Sequence, residues 1–236
     1  MNKKIALSMM AMILATTLAA CGGNTAAAPQ AEESAPAAEA TEVPAAAEAP
    51  AEAEAPAEEM AEEEAPADSN YILVTDDTGA LEIAIPAEWE QTDGEIFITG
   101  NYEFASIAAS SDLAGFGEFT ASGTWVLASA TLAQSLGYVQ NLDVMTNIYT
   151  SEGLECVPQN AGGDYADALY EGRYAFFENC AGSGNTLLIL SVRPIENKTG
   201  HLITVIVNSP SGEPAEQAEM QSQLILDSFN VVGQLP

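Results

Sequence analysis

The sequence predicts an α+β domain in which helices pack on a mainly antiparallel sheet. Three observations lead to this fold class: an alternating hairpin pattern early in the folded region, a late meander of three strong strands, and a closing amphipathic helix. Low-complexity sequence ends before Asn70, so we place the domain at residues 70–236, after a linker that we expect to be disordered. The length of this region suits one domain.

The domain opens with a predicted two-stranded hairpin. Residues 71–75 are apolar and β-prone, and the Asp-Asp-Thr-Gly sequence at 76–79 is typical of a turn. Residues 80–86 then alternate, which predicts a strand with one buried face formed by Leu81, Ile83 and Ile85. Short strands are predicted next at 96–99, 104–109 and 124–128, with weaker helices at 131–136 and 139–145.

Three strong strands form the predicted meander at residues 168–178, 186–193 and 202–208, with turns at 182–185 and 195–200. Residues 214–230 follow as a helix. The expected buried stripe of this helix pairs residues four apart, Met220 with Leu224 and Ile225 with Phe229.

The first twenty residues have the pattern of an export signal. Lys3 and Lys4 precede an apolar run, and Leu18-Ala-Ala-Cys21 ends it with small residues before a cysteine. The apolar core is shorter than the ~20 residues of a membrane-spanning helix, although a retained anchor or simple secretion remains the alternative. This ending resembles the lipobox of bacterial lipoproteins. The resemblance implies a signal peptide at 1–20, cleavage before Cys21, and a palmitate-type diacylglycerol anchor on its sulfur.

Residues 21–69 are predicted to be a lipid-bearing cysteine followed by a disordered tether. From residue 24 onward they are almost wholly Ala, Glu and Pro, without an aromatic residue. Such a segment cannot bury enough apolar surface to offset an ordering cost of roughly 1–2 kcal/mol per residue. We interpret it as a spacer that holds the domain away from the membrane; drifted low-complexity sequence is the alternative.

The charge balance excludes a nucleic-acid-binding surface. The chain has 35 acidic and 5 basic residues, and beyond the signal only Arg173, Arg193 and Lys198 are basic. Nucleic-acid binders need a basic patch.

Gly22 follows the cysteine, so the Asp that signals inner-membrane retention in diderm bacteria is missing. We therefore expect the extracytoplasmic face of a membrane: the cell surface in a monoderm, or the outer membrane in a diderm.

Two cysteines remain if Cys21 is lipidated. Export implies an oxidising compartment, so Cys156 and Cys180 are predicted to form a disulfide. A metal site is the alternative, but there is no Cys-x-x-Cys pair and His201 is the sole histidine, which makes zinc a poor fit.

Two segments resemble PsbP-like domains. Leu-Glu-Ile-Ala-Ile-Pro-Ala-Glu-Trp at 81–89 is similar to their opening strand, and Leu-Ile-Leu-Asp-Ser-Phe at 224–229 to their closing helix. The region from Cys156 through Glu-Gly-Arg-Tyr at 171–174 to Cys180 also resembles exported bacterial domains that are sometimes attached to trypsin-like serine proteases. The resemblance implies an αβα sandwich without a shared catalytic site, and mostly accessory, protein-binding roles.

No residue pattern predicts catalysis. Ser183 lies in a Gly-Ser-Gly-Asn turn, and a serine triad would require His201 as its base. The carboxylates of Asp76 with Asp77 and of Asp164 with Asp167 are the candidate calcium ligands; turn chemistry is the alternative for the first pair, and solvated loop acids for the second. Trp89 and Trp125 could form a sugar-stacking platform, but we expect core packing, which is the commoner fate of isolated tryptophans in strands.

The sequence therefore predicts a lipid-anchored accessory or binding module that is not an enzyme, needs no cofactor or metal, and contacts another envelope protein. A solute- or cation-binding lipoprotein and a hydrolase with a carboxylate-based site are the alternatives.

Overall fold

The computed structural model describes residues 70–236, whose strands form two antiparallel sheets. The strands are β1 (Tyr71–Thr75), β2 (Leu81–Pro86), β3 (Gln91–Asp93), β4 (Phe97–Thr99), β5 (Tyr102–Ser110), β6 (Gly123–Ser129), β7 (Val157–Ala166), β8 (Tyr170–Glu178), β9 (Thr186–Pro194), β10 (Leu202–Ser209) and β11 (Asn230–Val231). The helices are α1 (Leu113–Gly117), α2 (Ala130–Ala133), α3 (Tyr138–Tyr149) and α4 (Ala215–Ser228). The predicted α+β class with a mainly antiparallel sheet is confirmed.

The larger sheet has the strand order β3-β5-β6-β10-β9-β8-β7, and β4 also pairs with β5. The predicted meander lies at its centre, where β8, β9 and β10 pair in sequence order. The smaller sheet has the order β1-β2-β11, so the opening hairpin gains a third strand from the end of the chain.

One face of the large sheet is covered by the small sheet and α4. Leu81, Ile83 and Ile85 of β2 are fully buried there, as their alternation predicts. They form one hydrophobic cluster with Trp89, with Ile225 of α4 and with alternate residues of β5, β6, β9 and β10. We call it the hairpin-side cluster. The Ser228 side chain ties α4 to β2, because its Oγ accepts a hydrogen bond from the Ala84 backbone N–H at 3.0 Å.

The opposite face carries α3. Leu142 and Tyr149 of this helix pack on Ile189 and Ile206 of the central strands, in what we call the helix-side cluster. Asn141 fixes the position of the helix, since its buried side-chain amide donates 2.8 Å hydrogen bonds to the hydroxyls of Ser191 and Thr204. Buried polar groups are stable when they are paired in this way.

The structure corrects the predicted stripe of the last helix. Met220 is 65% exposed, whereas Gln221 is buried and joins Ile225 and Phe229 on the inner face. The prediction was wrong because two apolar pairs, each with a spacing of four residues, lie on neighbouring faces of the helix. Only the face with Ile225 and Phe229 is directed towards the sheet, and Met220 lies on the exposed face.

Several boundaries also differ from those predicted. The helix predicted at 131–136 is a single turn at Ala130–Ala133, and the one predicted at 139–145 extends over Tyr138–Tyr149. Strands β3, β7 and β11 and helix α1 were not predicted at all, and the helix predicted at 214–230 ends at Ser228. The signal at 1–20 and the tether at 21–69 lie outside the described residues.

Candidate functional site

The predicted disulfide between Cys156 and Cys180 is present. Cys156 directly precedes β7, and Cys180 begins a short 3-10 helix, Cys180–Gly182, one residue after the end of β8. Both are buried in the helix-side cluster with Tyr149 and Phe177. The bridge therefore joins the start of the edge strand to the end of its neighbour and closes the outer hairpin of the sheet.

The backbone beside this bridge adopts a conformation that side chains disfavour. Glu155, Asn179 and Ala181 all have φ in the left-handed region, at 46°, 54° and 49°. Such a conformation costs roughly 1–2 kcal/mol for a residue other than glycine, and Asn tolerates it best. The covalent link and the packing around it hold the turns in place against that cost.

A polar network supports the same turn from the other side. Asn185 Oδ1 accepts from the Cys180 backbone N–H at 2.7 Å and from Ser183 Oγ at 2.8 Å. Its amide donates to Asn208 Oδ1 at 2.6 Å, which connects the turn to β10. Ser183 is thus a turn residue with its hydroxyl engaged.

Ser183 and His201 lie at opposite ends of β9. Ser183 lies three residues before Thr186, where β9 begins. His201 lies just before β10, whose second residue, Ile203, pairs with Val192 near the other end of β9. Nine residues at ~3.3 Å each separate the two ends by roughly 30 Å. The hydroxyl and the imidazole are too far apart for proton transfer.

His201 occupies a partly buried corner instead. Its ring meets that of Tyr170 edge to face, with 6.1 Å between centroids, and its Nε2 is buried without a hydrogen-bond partner. Burial lowers the pKa of this imidazole, because the charged form is poorly solvated there. Tyr170 in turn donates its hydroxyl to Asn230 Oδ1 at 3.0 Å.

Asp76 is a turn residue rather than an available metal ligand. Its buried carboxylate accepts hydrogen bonds from the backbone N–H groups of Thr78, Ala80 and Leu81 at 3.1, 2.8 and 2.7 Å, and also from the Thr78 hydroxyl. Both oxygens are therefore occupied by the β1–β2 turn. Asp77 beside it is exposed.

The second carboxylate pair is also engaged locally. Asp164 lies 3.3 Å from the Arg173 guanidinium across the β7–β8 pair. Asp167 caps the following turn, accepting from the backbone N–H of Leu169 and of Tyr170 at 2.6 Å each and from the Tyr165 hydroxyl at 2.6 Å. Within residues 70–236, no group of three or more His, Cys, Asp or Glu side chains is arranged to hold a metal ion.

The two tryptophans do not share a surface. Trp89 is only 1% exposed and belongs to the hairpin-side cluster. Trp125 is half-buried on the other face of the large sheet, where it packs edge to face on Phe97 and donates its indole N–H to Ser106 Oγ at 2.9 Å. The expected core packing is confirmed for Trp89, and the two rings do not form a shared sugar-stacking platform.

A charged cluster that the sequence did not predict consists of Glu171 and the two cationic side chains beside it. Glu171 Oε1 accepts from Arg193 at 2.8 Å and lies 3.1 Å from Lys198 Nζ, and the Arg193 guanidinium stacks 4.9 Å from the Tyr138 ring centroid. Lys198 and Arg193 hold the pKa of the Glu171 carboxyl below its ordinary value. Glu171 and Arg193 lie directly opposite each other on β8 and β9. The cluster could have been predicted from the sequence only if the register of these two strands had been known.

No known protein-family model matches the chain, and no curated protein matches it significantly. None of the helices between residues 70 and 236 has the length and apolarity needed to cross a bilayer. Cys21, the predicted lipidation site, lies outside the described residues.

Proposed function

We propose that the protein is a lipid-anchored extracytoplasmic module that binds another envelope protein and has no catalytic activity. The observation that supports the exported and anchored part of this proposal is the use of its three cysteines. Cys156 and Cys180 are consumed by a buried disulfide, so the remaining thiol is Cys21, at the end of the lipobox-like sequence.

The disulfide agrees with an exported protein. Such bonds form and persist mainly in oxidising compartments outside the cytoplasm. A palmitate-type diacylglycerol at Cys21 would bind the bilayer stably, because two acyl chains suffice where a single chain is marginal. The tether predicted at 21–69 then separates membrane and domain.

The non-catalytic part of the proposal is supported by the contacts of the residues that were candidates for catalysis or calcium binding. Ser183, Asp76 and Asp167 each have a structural partner, and His201 lies about a strand length from Ser183. The geometry gives no support to a hydrolase or to a calcium site at these residues.

We further propose that the domain is PsbP-like. The two segments that carry the resemblance, residues 81–89 and 224–229, contribute Trp89, Ile225 and Phe229 to one cluster on one face of the large sheet. Helix α3 lies on the other face. This layering supports the αβα sandwich that the resemblance implies, and the accessory role is what the resemblance adds to it.

The experiment follows the protein in its native membranes. The wild-type chain is expected to partition into the detergent phase and to crosslink to a neighbouring envelope protein, whereas a Cys21→Ser variant is expected in the aqueous phase. Peptide mapping of the Cys156–Cys180 bond in both chains controls for folding. A wild-type chain in the aqueous phase would refute the anchor, and the absence of any specific crosslinked neighbour would refute the accessory role.

A further inference from the structure

His201 lies at one end of the large sheet with an unsatisfied ring nitrogen. It is the sole histidine of the chain and directly precedes β10. Its Nε2 is enclosed by protein, and no residue between 70 and 236 gives that atom a hydrogen-bond partner. Most buried polar atoms have such a partner, so this exception calls for an explanation. Histidine is also the side chain whose charge changes in mild acid.

The ring of His201 packs on the residue that fastens the last strand. Tyr170, the first residue of β8, is buried, and its ring contacts those of His201 and Phe229 with centroid distances of 6.1 and 5.2 Å. Its hydroxyl donates to Asn230 Oδ1 at 3.0 Å and accepts from the Val231 backbone N–H at 3.2 Å. These two residues are the whole of β11. One tyrosine therefore connects the histidine to both residues of β11.

Few hydrogen bonds hold β11 in addition to that tyrosine. The strand pairs with β2 through its two residues only, opposite Leu81 and Glu82. Beyond the strand, the backbone N–H groups of Val232 and Gly233 both donate to one acceptor, the Ala80 carbonyl, at 2.9 and 3.2 Å. Short terminal elements with few contacts open at a free energy well below that of the whole domain.

We propose that His201 is an acid-sensitive latch for β11, and that protonation of its ring releases residues 230–236 from Tyr170 and β2. A charged imidazole has two N–H donors and loses solvation when it is buried, so the closed form disfavours it. The opened form admits water to Nε2 and accepts the proton. Release leaves residues 81–82 of β2 without their outer partner, so mild acid opens one edge of the small sheet.

The charged cluster at this end of the large sheet lies on its other face. Glu171 and Arg193 are directly opposite each other, and the Arg193 guanidinium stacks on a tyrosine of α3. Lys198 in the β9–β10 turn pairs with Glu171 as well. Tyr170, on which His201 packs, belongs to the hairpin-side cluster on the opposite face. The sheet therefore separates the histidine from these three charges.

The titratable groups on the hairpin side have partners of their own. Tyr170 stays neutral in mild acid, since burial raises its pKa. Asp167 in the β7–β8 turn, Glu82 of β2 and Asp227 of α4 each accept a hydrogen bond from a nearby group. Burial is the cause that lowers the pKa of His201, and among the described residues no carboxylate offsets it. The C-terminal carboxylate is part of the segment that is released.

Amide hydrogen exchange tests the latch in the full-length chain carrying Cys21→Ser. The amides of residues 231–233 report the opening of β11, because they are bonded to Tyr170 and Ala80 in the closed form. After correction for the intrinsic exchange rate, their opening equilibrium constant is expected to rise at least about fivefold between about pH 7.5 and pH 5. The ordinary histidine pKa of 6.5 sets an upper bound of roughly 30-fold on this rise.

His201→Phe is the matched control, because it keeps an aromatic ring on Tyr170 and cannot be protonated. Its opening constant at residues 231–233 is expected to change less than about twofold over the same range. The amide of Val205, in the centre of β10, is the reference for unfolding of the whole domain. An equal rise in parent and variant, an equal rise at Val205, or a rise confined to the β9–β10 turn amides of Ile195 and Gly200 would overturn the proposal.

A chain that ends at Phe229 tests directly whether β11 controls the proton. Since His201 is the sole histidine, its ring titration can be followed by NMR without assignment. The midpoint is expected below 6.5 in the parent chain and at about 6.5 in the truncated chain, because water then reaches Nε2. Protection of the Val205 amide and mapping of the Cys156–Cys180 bond verify folding. A folded truncated chain with an unchanged midpoint would contradict the latch, and the exchange experiment decides if truncation prevents folding.

Discussion

Removal of the Cys156–Cys180 disulfide is expected to destabilise the domain strongly. The bridge spans a sequence separation of 24 residues. In the chain-entropy model, closing a loop of this size restricts the unfolded chain by roughly 3.5 kcal/mol at 25 °C. For a domain of this size each kcal/mol shifts Tm by about 2–4 °C, so the expected loss is roughly 7–14 °C.

The assay compares urea and thermal unfolding of two full-length variants. Cys21→Ala supplies an unlipidated reference that keeps the bridge, and Cys21→Ala/Cys156→Ala/Cys180→Ala lacks it. Reduction of the reference with thiol under mild denaturant should move its midpoint towards that of the triple variant. A triple variant within about 0.5 kcal/mol of the reference, the range of ordinary surface substitutions, would refute the view that this bridge stabilises the domain.

Three further predictions follow from particular contacts. Ile225→Ala should lower the free energy of unfolding by about 3 kcal/mol, because Ile225 is fully buried, whereas Met220→Ala on the same helix should change it by less than about 0.5 kcal/mol; equal urea midpoints would contradict the corrected helix face. Asp76→Ala should cost about 2–3 kcal/mol, since buried backbone N–H groups of the β1–β2 turn lose their acceptor, and Asp77→Ala is the exposed control; a neutral Asp76→Ala would show that the turn does not need its carboxylate. Burial lowers the pKa of His201 in the folded state, so the unfolded chain binds the extra proton first as the pH falls. The contribution of neutral His201 to the free energy of unfolding is therefore fully present above the ordinary pKa of 6.5, and it is lost as the pH falls from there through the lower pKa of the folded state. His201→Phe should flatten that acid-side slope in unfolding measurements between about pH 7 and 5, and an unchanged slope would assign it to another group.

The parts of the fold that could be predicted are those with a strong periodic pattern. Residues 81, 83 and 85 alternate with smaller or polar residues, and all three are buried as expected. Strand β7 lacks such a pattern, because its sequence Val-Pro-Gln-Asn-Ala-Gly-Gly-Asp-Tyr-Ala is mostly exposed and its strand conformation comes from pairing with β8. Tertiary pairing of this kind cannot be derived from local propensity.

The candidate site divides in the same way. The Cys156–Cys180 bond could be predicted from the number of cysteines and from the compartment that we expect on the basis of residues 1–21. The Glu171–Arg193–Lys198 cluster could not, because its members meet only through the register of β8 with β9 and the turn that follows. The exposure of Met220 could not be predicted either, because it depends on which face of α4 packs on the sheet. The spacing of the apolar residues in α4 does not determine that face.

Intact-mass analysis of the protein isolated from its native membranes tests the central proposal most directly. We expect a chain that begins at Cys21, carries a diacylglycerol on that sulfur, and contains the Cys156–Cys180 bond. A mature chain that retains residues 1–20, or that begins at an unmodified Cys21, would contradict the lipid-anchored module.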